Sequence, residues 1–232
     1  MSEQNNSPAT KLLDCIEVET GPNPTAAVIW LHGLGADGND FVPLVPELDL
    51  SACPAIRFIF PSAETMPVTA NGGYVMRSWY DIMAFGSNIA QREDEAGLRK
   101  SQQRVEALIA REKARGIPAS RIVLAGFSQG CAMTLQTGLR HPEKLAGMLC
   151  LSGYLPLAPT VASERTQAGL QTPIFMAHGR QDPVVAMIRA EQSRDVLQSL
   201  GCKLEWHEYT MQHSLCPEEV TDIGAWLTRV LA

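Results

Sequence analysis

Arg121-Ile122-Val123-Leu124-Ala125-Gly126-Phe127-Ser128-Gln129-Gly130 reads as a strand, a sharp turn and the first residues of a helix. The aliphatic run Ile122 to Ala125 suits a buried strand, and helical spacing takes over from Gln129 to Arg140. Between them lies Gly-x-Ser-x-Gly. A serine on such a turn is held in a strained backbone at the C-terminal end of the strand, and its flanking glycines let neighbouring chain come close. The bare pattern also occurs in ordinary strand-to-helix turns. Its place directly after one strand and before one helix is what makes Ser128 a candidate nucleophile.

Outward from this unit, apolar runs and turn signals alternate along the chain. Further strands are expected at Leu12 to Glu19, Ala26 to Leu31, Ile56 to Phe60, Gly147 to Leu151, Ile174 to Ala177 and Leu204 to Tyr209. Helices are expected at Phe41 to Leu48, Asp94 to Arg115, Val185 to Leu200 and Pro217 to Leu231. On the longest of them Leu98, Val105, Leu108 and Ile109 share one face, and Gly116 and Pro118 end it. Strands alternating with helices predict an α/β fold, a mainly parallel sheet with helices on both faces. Two stretches, Pro61 to Arg92 and Tyr154 to Pro173, show no clear period and are expected to border a substrate site.

The chain has 232 residues, 45% hydrophobic and 19% charged, with no linker between halves of different composition. One domain over residues 11–232 is expected, preceded by a disordered tail at 1–10. The net charge of -6 disfavours nucleic acid as a partner, because phosphate binding calls for a basic patch. The polar, acidic start Met1-Ser2-Glu3-Gln4-Asn5-Asn6 is no secretory signal, which implies a cytoplasmic location. The uncharged run Leu145 to Ser163 is long enough for a membrane span, but Gly147, Gly153, Pro156 and Pro159 break it into a strand and a loop. Cys15, Cys53, Cys131, Cys150, Cys202 and Cys216 lack the spacing of a metal site or redox pair. They read as reduced, mostly buried thiols, and Cys131 as a packing residue.

A serine hydroxyl becomes a nucleophile only when a base takes its proton, and that base needs an acid to orient it. On strand-turn-helix scaffolds of this kind the chain order is serine, acid, histidine. Among His32, His141, His178, His207 and His213, the last has the best setting: a short loop after Lys203 to Tyr209 and before the final helix. His207 lies inside that strand, and His178 ends a strand beside Gly179 as a turn-supporting residue. Asp182, just past Ile174 to Ala177 and before Pro183, is the natural acid, although an aspartate there could serve only to cap the next helix. Asp195 and Asp222 fall inside helices.

Leu31-His32-Gly33-Leu34-Gly35-Ala36-Asp37-Gly38 follows another strand and has two readings. As an oxyanion loop it would offer the Leu34 amide, joined by the amide of Gln129. As Gly33-x-Gly35-x-x-Gly38 it matches a dinucleotide fingerprint with Glu64 as ribose ligand, the mark of an oxidoreductase. Asp37 and Asp40 would then sit where a pyrophosphate belongs, and Ser128, Asp182 and His213 would go unexplained. A third class is a binding module that retains the fold without turnover.

These segments resemble the bacterial carboxylesterases of the phospholipase/carboxylesterase family, relatives of the eukaryotic acyl-protein thioesterases within the α/β-hydrolases. The likeness runs from about Ala26 to the end. It rests on Leu31 to Gly35, Ser78-Trp79-Tyr80-Asp81, Gly126 to Gly130, His178-Gly179 with Asp182-Pro183-Val184-Val185, and His213-Ser214. It implies a serine hydrolase acting on carboxylic esters or thioesters, with Ser128 as nucleophile, His213 as base, Asp182 as its orienter, and the Leu34 and Gln129 amides as oxyanion donors. It calls for no metal and no cofactor. The substrate implied is a small or lipid-like acyl ester, with lysophospholipase action as a variant, and a homodimer is implied as well. Trp79 and Met66 stand either at the substrate site or in the core.

Overall fold

The computed structural model describes residues 12–84 and 93–232. The expected tail at 1–10 and the end of the first irregular stretch lie outside them. Nine strands and six α-helices are found among these residues. In chain order they are β1 (Cys15–Glu19), β2 (Ala26–Leu31), β3 (Ile56–Pro61), β4 (Thr65–Val68), β5 (Tyr74–Arg77), α1 (Glu95–Ala114), β6 (Ile122–Phe127), α2 (Gln129–Gly138), β7 (Gly147–Leu151), α3 (Ala158–Glu164), α4 (Gln167–Gln171), β8 (Ile174–Gly179), α5 (Met187–Ser199), β9 (Leu204–Tyr209) and α6 (Pro217–Leu231).

Seven strands form one sheet in the order β1-β3-β2-β6-β7-β8-β9, all parallel except β1, which runs antiparallel to β3. Each central strand is covered on both faces, and alternate side chains divide between two layers. Ala27, Ile29 and Leu31 of β2 pack with Leu98, Val105, Leu108 and Ile109 of α1. Val28 and Trp30 face the other way, toward Ile223, Trp226, Leu227 and Leu231 of α6. The i, i+4 spacing of the last residues is the apolar stripe of a helix lying on a sheet. Further along, β7 and β8 pack against Leu135 of α2, Leu139 at its C-terminal cap, and Ala190 and Leu197 of α5. The chain therefore has the α/β-hydrolase architecture, helices on both faces included.

The strand order reverses at β2 and β6. From β2 the chain moves outward to β3, and from β6 it moves outward in the other direction through β7 and β8. At such a point the loops leaving two neighbouring strands diverge and open a crevice at their C-terminal ends. Leu31 is paired with Gly126 there, so the loop after β2 and the turn at Ser128 leave the sheet side by side.

Several expectations are corrected. The segment expected as a helix at Phe41 to Leu48 is a 3-10 turn at Val42–Glu47, because Pro43 and Pro46 remove the amide donors an α-helix needs. The first strand begins at Cys15 rather than Leu12. The stretch from Pro61 holds the antiparallel hairpin β4–β5, whose four-residue strands are too short to show a period. The stretch Tyr154 to Pro173 holds the short helices α3 and α4. No helix among the described residues is long and apolar enough to cross a membrane, so Leu145 to Ser163 is a strand, a loop and a short helix.

Two buried carboxylates illustrate how charge is accommodated. Glu112 of α1 is fully buried and is met by Arg57, Arg111 and Arg115 at 3.0, 2.9 and 3.0 Å. Glu219 of α6, equally buried, has no cationic partner among the described residues. Burial raises its pKa to about 8, with Asp222 adding to the rise and the backbone at Cys216 opposing it. A carboxyl whose proton is held more tightly folded than unfolded supports the fold fully below its unfolded pKa, and that support is lost as pH rises toward 8. Glu219→Gln is accordingly expected to raise the melting temperature more at pH 9 than at pH 5. A difference between the two proteins that is independent of pH would contradict the assignment.

Candidate active site

The Gly-x-Ser-x-Gly turn has the shape its sequence demands. Ser128 adopts φ 56° and ψ -116°, a conformation that costs a non-glycine residue on the order of 1–3 kcal/mol. It is half-buried, and its amide donates to the carbonyl of Leu151 at 2.9 Å. The glycines are sterically required: a Cβ on Gly130 would lie 2.0 Å from the Leu31 carbonyl oxygen, and one on Gly126 would lie 2.2 Å from the backbone of Gly130.

His213 and Asp182 lie beside Ser128. His213 Nε2 is 3.0 Å from Ser128 Oγ, and His213 Nδ1 is 2.7 Å from Asp182 Oδ2. An ionised carboxylate only accepts, so Nδ1 carries the ring proton and Nε2 turns its lone pair toward the serine hydroxyl. The ring of His213 rests against Phe127, with centroids 4.7 Å apart. Asp182 Oδ1 accepts from the amides of Val184 and Val185 at 2.8 and 2.9 Å. Burial alone would raise this carboxyl, but the bonds from His213, Val185 and Val184 outweigh it and leave its pKa lowered. The helix expected from Val185 starts instead at Met187, with Ala186 at its N-terminal cap position, so Asp182 closes the turn before α5 rather than capping it.

The loops carrying the acid and the base are zipped together. Arg180 donates to the Tyr209 carbonyl at 2.9 Å and Gln181 to that of Met211 at 3.1 Å. Continuation of the β8–β9 pairing beyond the sheet thus brings Asp182 onto His213, 31 residues further along the chain.

On the other side of Ser128 the loop after β2 is clamped by side chains. The Ala63 amide donates to His32 Nε2 at 3.0 Å, so Nδ1 holds the ring proton and donates to the Gly33 carbonyl at 2.6 Å. Burial keeps His32 neutral by lowering its pKa, against opposing effects of the Gly33 carbonyl and Asp37. Trp79 Nε1 donates to the His32 carbonyl at 2.9 Å. Among the described residues the amides of Leu34 and Gln129 find no internal acceptor, while that of Gly35 donates to Arg77. Two free donors at the crevice, one at the N-terminus of α2, can meet a developing negative charge.

Sequence reasoning missed the part played by the Gln129 side chain. Its Oε1 accepts from the Trp79 amide at 3.0 Å, and its Nε2 donates to Ser78 Oγ and the Tyr80 carbonyl at 3.0 and 2.7 Å. The signal was present in Ser78-Trp79-Tyr80-Asp81, but nothing in one sequence says that this segment docks on residue 129. Trp79 is buried, and with the half-buried Met66 it lines a cavity of about 170 Å³ rimmed by Glu64, Lys100 and Arg104. Cys131 is buried among Leu135, Met148 and Cys150. His207 stacks on Phe175. The dinucleotide reading is corrected here. The loop at Gly33 to Gly38 leads into a six-residue 3-10 turn, not an α-helix whose N-terminus could hold a pyrophosphate, and Glu64 is engaged by Arg104 at 2.6 Å.

Comparison with known proteins identifies the family and the fold. The family model described as Phospholipase/Carboxylesterase matches residues 13–231. Acyl-protein thioesterase 1 of Yarrowia lipolytica is 41% identical over 207 residues, covering 88% of this chain and 91% of that protein. The crystal structure of Arabidopsis thaliana SOBER1 superposes with a TM-score of 0.85 at 32% identity, over 89% of this chain and 99% of that one. Acyl-protein thioesterase 2 of Zea mays does so with a TM-score of 0.81 at 28% identity, over 94% and 99%. These relatives are fungal and plant proteins, so the narrower likeness to bacterial carboxylesterases is not supported.

Gln129→Leu would keep the backbone amide and remove the side-chain tie, leaving the Trp79 amide buried without a partner at roughly 1–3 kcal/mol, while the Tyr80 carbonyl keeps its bond from Ser78 Oγ at 2.6 Å. Urea denaturation should show a lowered midpoint. An unchanged midpoint would mean that the tie carries no stability.

Proposed function

The chain belongs to the phospholipase/carboxylesterase family of α/β-hydrolases, and from that premise we propose that it hydrolyses acyl thioesters, and oxygen esters more slowly, through an acyl-enzyme on Ser128. The observation that carries this reading is the pair of contacts from His213, 3.0 Å to Ser128 Oγ and 2.7 Å to Asp182 Oδ2. In the proposed reaction Ser128 Oγ attacks the acyl carbonyl while His213 Nε2 takes its proton. The oxyanion is met by the amides of Leu34 and Gln129. His213 returns the proton to the departing thiol or alcohol, and water, deprotonated by the same ring, releases the acid from the serine. Asp182 holds the imidazole in its Nδ1–H tautomer and stabilises the imidazolium. In this scheme residues 11–232 act as one domain.

Preference for a thioester is supported by relatives that carry the name acyl-protein thioesterase. A lipid-like acyl group suits the exposed apolar side chains Val184 and Ile188 flanking the Asp182 loop. Met66 and Trp79 are proposed to bear on the acyl site from the side of the loop after β2, Trp79 through its bond to the His32 carbonyl. Carboxylesterase or lysophospholipase action is the second reading, since the same constellation cleaves any activated acyl bond that the crevice admits.

The test compares kcat/KM for a thioester and an oxygen ester of one acyl chain in wild type, Ser128→Ala and Asp182→Asn. Thioester turnover should dominate, Ser128→Ala should abolish both activities, and Asp182→Asn should lower kcat by roughly 10,000-fold. A faster oxygen ester would favour the carboxylesterase reading. Full activity in Ser128→Ala would reject the mechanism.

A further inference from the structure

One wholly buried ring beside the acid has no part in the scheme above. His178, near the end of β8, has its side chain fully enclosed. Its Nε2 lies 2.8 Å from the Val185 carbonyl oxygen and 3.4 Å from Asp182 Oδ2. A carbonyl can only accept, so the proton is on Nε2 and Nδ1 is bare. Nδ1 has no hydrogen-bond partner among the described residues. A buried acceptor left unpaired is unfavourable, and an apolar residue would fill such a site without that cost. The feature that a histidine adds here is the Nε2–H.

We propose that His178 is a positioning residue whose Nε2–H, bonded to the Val185 carbonyl with the ring 3.4 Å from Asp182 Oδ2, fixes the loop end that holds the carboxylate in the orientation that His213 requires. The proposal rests on the reading of Ser128, His213 and Asp182 given above. Asp182 sits on the loop between β8 and α5, and the ring ties the start of that loop to its far end at Val185. The same end supplies the amides of Val184 and Val185 to Oδ1. The carboxylate is therefore held on both oxygens, Oδ1 by the two amides and Oδ2 by His213, and the His178 ring lies 3.4 Å from Oδ2. The loop is also pressed onto its neighbour: a Cβ on Gly179 would lie 2.4 Å from the Gln212 carbonyl oxygen.

Neutrality of the ring is part of the design. Burial, the largest influence, lowers its pKa with help from His213, against the Val185 carbonyl, Asp182 and Glu191, which raise it. A charged ring would form a stronger, charge-assisted bond to Oδ2 and draw the carboxylate away from His213. A neutral donor steadies the acid without competing for it.

The experiment compares wild type, His178→Leu and His178→Gln by kcat, KM and the NMR signal of the His213 Nδ1 proton, which needs no substrate. His178→Leu should lower kcat on the order of 10–100-fold with KM little changed, the size of effect that small misplacements of reacting groups produce. Its His213 Nδ1 proton should shift or broaden through exchange. His178→Gln, whose amide places a neutral donor near the same point, should recover most of both. Native kcat and an unmoved proton in His178→Leu would overturn the proposal, as would equal losses in both variants. Should His178→Leu fail to fold, nitrogen NMR of the wild type decides: a bare Nδ1 and protonated Nε2 across the working pH range support the assignment, and a cationic ring overturns it. Failure of the underlying reading is separately visible, as turnover that survives Ser128→Ala.

Discussion

The close contact between the backbone at Gly130 and the carbonyl of Leu31 is the constraint on which the site depends. It joins the two strands at which the sheet order reverses, and it leaves no room for a side chain. Because the first turn of α2 lies directly on the end of β2, the Ser128 hydroxyl and the loop at Leu34 emerge at one crevice. The strained backbone of Ser128 is sustained by this packing, by its amide bond to Leu151, and by the Gln129 side chain reaching to Ser78 and Tyr80. Strain of a few kcal/mol persists only where surrounding structure fixes it from several sides.

The acid and base are placed by a different device. Here the parallel pairing of β8 with β9 runs on past the sheet as two loop hydrogen bonds, and the side chains of Asp182 and His213 project from the zipped loops into mutual contact. Both halves of the site therefore use backbone geometry for placement and buried polar side chains for orientation. His32 and His178 stand on opposite sides of the nucleophile with related features: each is buried, each has its pKa lowered by burial, and each fixes a loop by a ring hydrogen bond to a backbone carbonyl.

Much of this was legible in the chain. The central strands could be read from runs of aliphatic residues, since a strand covered on both faces has little else to offer, and β2 and β7 keep the expected limits, as does β9 at the sheet edge. Ser128, Asp182 and His213 could be proposed because each ends a strand just before a helical pattern. What could not be read were contacts between segments remote in sequence. Gln129 and Trp79 are 50 residues apart, and His178 looked like a turn residue because its partner Val185 lies beyond a loop of unknown shape. The hairpin β4–β5 escaped because four residues containing a proline carry no periodic signal, and the 3-10 turn at Val42–Glu47 because apolar spacing outweighed its prolines.

The central claim is that Ser128 is activated, not merely exposed. Fluorophosphonate labelling of the folded wild type, with the adduct located by peptide mass and compared with Ser128→Ala, tests it most directly. The account predicts a single adduct on Ser128 that is absent from the variant. Well-folded protein that takes no label, or a label that persists when Ser128 is replaced, would contradict it.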